Sequence, residues 1–320
     1  MNKVKLIKQI FAIVGVVTFM VITDVFIYFV FTNRCINDFS NQMQAKSVEV
    51  DEYLPFANET KIIKKEAPEK LEGDLPVIDG AAALVPIFNS FVYSLYPESS
   101  VKYESGDFTK DSALQYHNTR GAYKGIVDGD CDIVFCAKPS DEQVQYGLDK
   151  GVKLELTPIG REAFVFLVNN NNPVDGLTMD QLKDIYNGKI TNWKDVGGAN
   201  RPINVVQRNK GSGSQTTLEK LFGKDISSNF FGPLGASIGF SFRFYVEELT
   251  KHGHIKMLEL NGVYPNKENV QSNAYPIVSN FYAVTREGEK DTNQNIKKVL
   301  EFILSSTGQE IINEVGYVGL

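Results

Sequence analysis

The sequence is poor in the residues on which metal sites and acid–base catalysis depend, because its 320 residues include three cysteines, three histidines and one tryptophan. Three cysteines cannot form a disulfide framework, and their spacing matches no zinc motif. An offset of five along a predicted strand places Cys131 and Cys136 on opposite faces, so we expect both thiols to be free. His252 and His254 could bind a metal with a distant carboxylate, although a solvated loop is the simpler interpretation. We therefore predict no metal and no cofactor.

An excess of basic residues is also absent. Lys and Arg number 33 against 39 Asp and Glu, which gives a net charge of −6 and a pI near 5.3. A nucleic-acid surface needs clustered basic residues on one face, so the balance argues against such a partner. A small anion is still a possible ligand, because a binding site is local whereas net charge is global. A hydrophobic content of 42% is typical of a globular protein, and 320 residues suggest two lobes or two domains.

Long apolar runs are absent except near the N-terminus. Three lysines precede an apolar run over residues 10–31. At about 1.5 Å per residue this run can cross the ~30 Å core of a bilayer, so we expect residues 1–34 to form an uncleaved single-pass anchor. The basic end would stay in the cytoplasm, and the chain after Arg34 would lie outside. A cleaved signal peptide is the alternative, although no small-residue cleavage pattern precedes Cys35.

The rest of the chain divides at about residue 74. Residues 35–74 are polar and charged, which is typical of a stalk that lifts a domain off the membrane. From Leu75 onward, strand patterns such as 132–136 alternate with helical patterns such as 179–186. Such alternation predicts an α/β fold with largely parallel sheets.

The segment 208–217, RNKGSGSQTT, lies between a predicted strand and a predicted helix. The first N–H groups of a helix have no intrahelical partner, glycine lets the backbone approach a ligand, and a guanidinium matches two oxygens of an oxyanion. These features favour a small-anion site at a helix N-terminus. The alternative is a glycine turn in which Ser214 or Thr216 merely caps the helix. The segment matches neither the G-x-x-x-x-G-K-[ST] phosphate loop nor the G-x-S-x-G nucleophile motif.

At this segment the chain resembles a known family. Arg208-x-x-Gly211-Ser212-Gly213-Ser214 looks like the R-x-x-G-S-G-T of the PstS-like phosphate-binding proteins that serve bacterial ABC importers. Residues 177–193, LTMDQLKDIYNGKITNW, are similar to a second and longer motif of that family. With shorter matches, the resemblance extends from about residue 75 to the C-terminus.

The resemblance implies a type II periplasmic-binding-protein fold, in which two α/β lobes joined by crossover strands hold the ligand in a cleft. The crossings would lie near 161–168 and 275–286. Lobe 1 would comprise residues 75–162 and 286–320, and lobe 2 would comprise residues 163–285. The lobes would close on the ligand about a hinge.

Carried over position by position, the resemblance implies anion contacts for four residues of the loop, which are Arg208, Ser212, Gly213 and Ser214. Ser214 replaces the threonine of the family and keeps its hydroxyl. Thr119 falls where the family has a ligand-binding serine.

Two departures from the family concern the same site. The first helix of the family starts with a hydroxyl, but here Ala82 and Ala83 offer only their backbone N–H groups. Ala137 stands where well-studied members have an aspartate that accepts the proton of hydrogen phosphate, and Lys138 beside it could add charge. Without that carboxylate, selection of phosphate over sulfate-like anions becomes weaker.

Two further arginines have no place in the family pattern. Arg120 is either a second cation in the cleft or a solvated residue, and the surface is the simpler interpretation. Arg243 lies in 239–245, a predicted alternating strand whose phenylalanines share one face and pack in the core. Whether Arg243 faces the cleft is left open by the sequence.

Together these features predict a membrane-anchored, monomeric, extracytoplasmic solute-binding protein. It would capture phosphate or a related small oxyanion and pass it to an ABC permease without catalysing a reaction. The main alternative is an anchored sensor or adhesion module of the same fold with another ligand or none. A phosphatase is third, because it would need a metal cluster or a nucleophile–base pair that is not evident.

Overall fold

The computed structural model describes residues 13–28, 48–223, 226, 236–249 and 254–320. Residues 13–28 are helical (α1), and no helix among the described residues is long and apolar enough to cross a membrane. The expected anchor, residues 1–34, extends beyond the described residues at both ends, so it stays a prediction. His252 also lies outside the described residues.

Helices and strands alternate along the folded part, as the sequence predicts. The larger helices are α2 (Val85–Leu95), α3 (Asn118–Asp128), α4 (Asp141–Asp149), α5 (Met179–Tyr186), α6 (Gly213–Phe222), α7 (Lys267–Gln271), α8 (Glu289–Thr292), α9 (Gln294–Leu304) and α10 (Ser306–Val315). The strands are β1 (Ile78–Gly80), β2 (Tyr103–Glu104), β3 (Asp107–Phe108), β4 (Ile133–Ala137), β5 (Leu154–Asn169), β6 (Gly176–Leu177), β7 (Ile203–Val205), β8 (Ala236–Phe242), β9 (Ile255–Met257), β10 (Glu259–Leu260) and β11 (Val278–Arg286).

Strand β5 joins the two halves of the molecule. Its first half pairs with β11 as far as Ala163, and its second half pairs with β8 from Phe164 onward. The sheet order is β1-β4-β11-β5-β8-β7, with β9 also on β5. We call the half with β1 and β4 lobe 1 and the half with β7 and β8 lobe 2.

The sheets are mixed, so the prediction of largely parallel sheets is wrong. The pairs β1–β4 and β7–β8 are parallel, as helical connections between strands require. The long crossing strands β5 and β11 run antiparallel to each other and to their other neighbours. A chain that passes from one lobe to the other and returns must reverse its direction, and this adds the antiparallel pairs.

Each lobe has its own hydrophobic core. In lobe 1, α2, α9 and α10 cover the sheet around Phe88, Phe91 and Phe135. In lobe 2, the aromatic side chains of Phe166, Tyr186 and others pack together. Two separate cores joined by crossing strands are what a hinged pair of lobes requires.

Over residues 48–74 the structure differs from the expected stalk. Tyr53, Ile62 and Leu71 are buried in the core of lobe 1. The backbone is tied down as well, because Leu71 N–H donates to the carbonyl of Leu95 at 2.7 Å and the Tyr53 carbonyl accepts from the Asn89 amide at 2.7 Å. These apolar residues are widely spaced among charged ones. For this reason the local composition does not predict that the segment packs against lobe 1.

Two smaller expectations have mixed outcomes. Cys131 and Cys136 are free and buried, as predicted, but both pack in one apolar cluster because Cys131 precedes β4 and does not share its alternation. The predicted strand 239–245 ends at Phe242. Phe244 therefore packs on Tyr317 in lobe 1, with ring centroids 4.3 Å apart, whereas Phe240 belongs to the core of lobe 2. The prediction that these phenylalanines pack in the core is confirmed. The prediction that they share one face of a strand is wrong.

Candidate functional site

The loop between β7 and α6 ends in a helix N-terminus with unused donors. Ser212 is the N-cap, and its Oγ accepts from Gln215 N–H at 3.3 Å, so neither Ser214 nor Thr216 has the capping role. The N–H groups of Gly213 and Ser214 precede the first intrahelical hydrogen bond and remain available. Gly211 has a φ of +79°, which a residue with a side chain adopts only with strain.

Gln215 fixes this loop from inside the helix. It is buried, its Oε1 accepts from Arg208 N–H at 2.8 Å, and its Nε2 donates to Gln207 and Glu219, each at 3.1 Å. The backbone of Arg208 is therefore held against the first turn of α6. The sequence analysis did not single out Gln215, because its partners are recognisable only once the loop is folded.

The start of α3 in lobe 1 faces the start of α6. An ideal Cβ at Gly213 would lie 3.4 Å from Ala137 Cβ and 3.6 Å from Thr119 Oγ1. The two lobes are thus in close proximity at this point, and a side chain at position 213 would occupy the space in front of the N–H donors. Ala137 ends β4 beside these donors, whereas Lys138 is exposed and does not line the cavity.

Asp79 holds in place His117, the residue that precedes α3. This buried carboxylate accepts from His117 N–H at 2.9 Å through Oδ1, and its Oδ2 lies 2.7 Å from His117 Nδ1. The pKa of His117 is raised, chiefly by its hydrogen bond with Asp79. Asp79 thereby couples the end of β1 to the helix that carries Thr119.

A third helix start comes from the turn after β1. A 3-10 helix, Ala82–Leu84, leads into α2, and its first N–H groups are directed away from the helix body. Position 80 has no room for a side chain, since a Cβ at Gly80 would lie 2.7 Å from the Phe135 carbonyl oxygen. Ala81 N–H donates to that carbonyl at 2.8 Å, and the Tyr317 hydroxyl donates to the Ala83 carbonyl. These contacts fix Ala82 and Ala83 at the cleft.

Arg208 contributes a partly buried cation. Burial lowers the pKa of its guanidinium, and the nearby Tyr245 opposes this shift. No carboxylate among the described residues forms a salt bridge with Arg208. A desolvated cation without a counter-charge is costly, and a bound anion would remove that cost.

These parts surround one cavity of about 310 Å³, which lies at the small end of the ~300–1,000 Å³ range of ligand pockets. All seven residues expected to contact the anion line it, namely Ala82, Ala83, Thr119, Arg208, Ser212, Gly213 and Ser214. The structure therefore brings them together, while direct contact with a ligand stays a prediction. Arg120 is exposed and also lines the cavity. It can therefore be both a solvated residue and a second cation in the cleft.

Arg243 and Glu162, which lie close to the cavity, compensate each other. Arg243 is buried, its Nε lies 3.0 Å from Glu162 Oε1, and its Nη2 donates to the Gly316 carbonyl at 2.6 Å. Burial raises the pKa of Glu162 to about 7, and the guanidinium of Arg243 opposes this shift. Arg243 therefore joins β8, β5 and the C-terminal segment where the lobes meet. Among the described residues, no group of three His, Cys, Asp or Glu side chains could hold a metal ion.

Comparisons with known proteins show the family to which the chain belongs. A family model described as the PBP superfamily domain matches residues 76–307. The phosphate-binding protein PstS of Borreliella burgdorferi is 30% identical over 227 residues, which are 64% of this chain and 79% of that protein. PstS of Staphylococcus aureus strain USA300 is 27% identical over 219 residues, which are 62% and 67% of the two chains.

Solved structures give the same result for the fold. A Clostridium perfringens protein, described as a phosphate ABC transporter substrate-binding protein with bound phosphate, is 25% identical with a TM-score of 0.58. The match covers 77% of this chain and 100% of that one. An ABC-type phosphate transport receptor from Vibrio cholerae has the same fold at 20% identity, with a TM-score of 0.54 over 77% of this chain and 100% of the receptor.

Proposed function

The chain belongs to the PBP superfamily and to its PstS-like phosphate-binding proteins, and we propose that it is the substrate-binding protein of an ABC importer for phosphate or a related small oxyanion. The relatives are named for phosphate binding, and the Clostridium perfringens structure contains bound phosphate. The function is capture and release of a ligand, without catalysis.

The observation that carries this proposal is the position of Arg208, which forms no salt bridge with a described carboxylate, in a cavity where three helix starts meet. Helix N-termini present N–H groups and the positive end of the helix dipole, which together favour an anion. The Arg208 guanidinium can bind two oxygens of a tetrahedral oxyanion, and the hydroxyls of Ser212, Ser214 and Thr119 can bind others. Since these groups come from both lobes, a bound anion would hold the lobes together.

The expected position of the protein in the cell is part of the same proposal. Support comes from the apolar run 10–31 and the lysines before it, which are typical of a single-pass anchor with a cytoplasmic start. The binding lobes would then face outward as a monomer and deliver the anion to a permease. Protease treatment of intact cells tests this topology, because digestion of the lobes without lysis is expected.

Titration calorimetry of the full chain in detergent with phosphate, sulfate and molybdate tests the function. At least one anion is expected to release or absorb heat and to raise the unfolding temperature. Arg208→Ala should lose this binding and keep the fold, whereas Arg201→Ala, an exposed arginine just before β7, should bind normally. Absence of binding to all three anions would refute the proposal.

Two inexpensive observations separate the alternatives. Neighbouring genes for a permease and an ATPase are expected for a transporter and not for a sensor or adhesion module. Hydrolysis of a phosphate monoester by the purified protein would indicate an enzyme instead.

A further inference from the structure

The start of α4 in lobe 1 contacts the anion-binding loop of lobe 2, and neither Gln143 nor Gly211 lines the cavity that holds the predicted ligand contacts. Gln143 Nε2 donates to the Gly211 carbonyl at 3.2 Å. Lys210 Nζ lies 2.5 Å from Glu142 Oε1, and Lys220 Nζ donates to the Pro139 carbonyl at 2.6 Å. All three contacts join residues of different lobes.

Gln143 has the best-defined geometry of the three. Its Oε1 accepts from Ser140 N–H at 2.8 Å, and its own N–H donates to Ser140 Oγ at 3.2 Å, so it completes the capping box of α4. With Oε1 fixed by the cap, the direction of Nε2 is fixed too. The amide therefore presents its donor to lobe 2 from a rigid helix end.

The other two contacts are less suited to hold the anion-binding loop in place. The side chains of Lys210 and Glu142 are 73% and 61% exposed, and such surface pairs are worth little. Lys220 binds through a long flexible side chain. Gln143 is partly buried and loses less freedom when it forms its bond.

The acceptor of Gln143 lies next to the predicted ligand contacts. Gly211 has a φ of +79° and immediately precedes Ser212, which caps α6. The peptide after Gly211 thus determines where Ser212, Gly213 and Ser214 point. A hydrogen bond to the Gly211 carbonyl restrains this peptide, and it can exist only while the lobes are close together.

We propose that Gln143 is a positioning residue of the anion site, which holds the binding loop in place across the closed cleft without touching the ligand. The inference rests on the proposed function, because it needs a bound anion. Since the bond forms only when the lobes close, it slows ligand release and has little effect on capture.

Gln143→Glu tests this role selectively. The variant keeps an oxygen for the Ser140 cap, but it replaces the donor to Gly211 by an acceptor. We expect the release rate of radiolabelled phosphate, chased with unlabelled phosphate, to rise about tenfold with an almost unchanged association rate. Radiolabelled sulfate is measured in parallel.

Two control variants separate positioning from charge and from helix stability. Gln145→Glu adds the same charge to α4 and should release phosphate at the wild-type rate, because the Gln145 amide donates to Asp149 of the same helix and forms no hydrogen bond with a described residue of lobe 2. Ser140→Ala removes the Oγ that accepts from Gln143 N–H but keeps the Ser140 N–H that holds Gln143 Oε1, so it should lower the unfolding temperature without faster release. A wild-type release rate in Gln143→Glu, or an equal increase in either control, would overturn the inference. If the wild type binds none of phosphate, sulfate and molybdate in calorimetry, the proposed function fails, and this inference fails with it.

Discussion

Replacing Arg208 by methionine should change anion affinity and the stability of the ligand-free protein in opposite directions. In the structure the guanidinium is partly buried, its pKa is lowered by burial, and no described carboxylate pairs with it. Hydrogen bonds to charged groups are worth about 1.5–3 kcal/mol each. Loss of a two-pronged contact to the anion should therefore cost about 3–4 kcal/mol, which is a factor of several hundred in Kd.

The effect on the ligand-free protein has the other sign. Because burial penalises the charged form, Arg208 destabilises the fold at every pH below the pKa of its guanidinium, which includes neutral pH. Methionine keeps an unbranched apolar side chain of similar reach and removes the charge. We expect the free energy of unfolding to stay level or to rise by up to about 1 kcal/mol, as is common when a functional cation is removed.

Calorimetric titration and urea denaturation of the anion-free protein measure the two effects. Arg201→Met is the matched control, because Arg201 is exposed and does not line the cavity. It should leave both quantities unchanged. If Arg208→Met binds anions with wild-type affinity, the site is misassigned, and if it is also markedly less stable, Arg208 has a structural role.

Three further variants test other parts of the structure. Arg243→Met leaves the buried Glu162 without its cation, so the free energy of unfolding in urea should fall by about 3–5 kcal/mol, and a change below 1 kcal/mol would contradict the structural role. Ala137→Asp places a carboxylate beside the donors of Gly213, so competitive titration should show sulfate affinity falling more than tenfold while hydrogen phosphate, which can donate to it, is retained. Leu71→Ala should cost about 2–5 kcal/mol of stability if residues 48–74 belong to lobe 1, and almost nothing if they are a stalk.

The sequence predicts the fold well where the signal is local. Helix α5 follows from its pattern, because Thr178 and Gln181 form the capping box that such spacing favours. Strand β5 contains Pro158 and Gly160, two residue types that weaken the pattern of a strand interior. The structure accommodates both within one strand through a register shift opposite Phe281 and Tyr282.

The sequence predicts the residues that line the candidate site, but it does not predict the residues that hold them in place. The loop 208–217 carries residue types that favour an anion site, although by themselves they also fit a capped glycine turn. Asp79 and Gln143 have partners 38 and 68 residues away, so no spacing along the chain reveals them. Arg243 was ambiguous for the same reason, because its partner Glu162 is 81 residues distant.

The charge of the whole protein and that of the cavity have opposite consequences for an anion. A net charge of −6 repels a distant oxyanion, but this repulsion is screened beyond about 10 Å at 0.1 M salt. Inside the cavity, the partly buried Arg208 and the helix starts act at short range, where screening is weak. The acidic composition is therefore compatible with capture of an anion. Binding depends on the local charge of the few groups that the closing lobes bring together, and much less on the net charge of the protein.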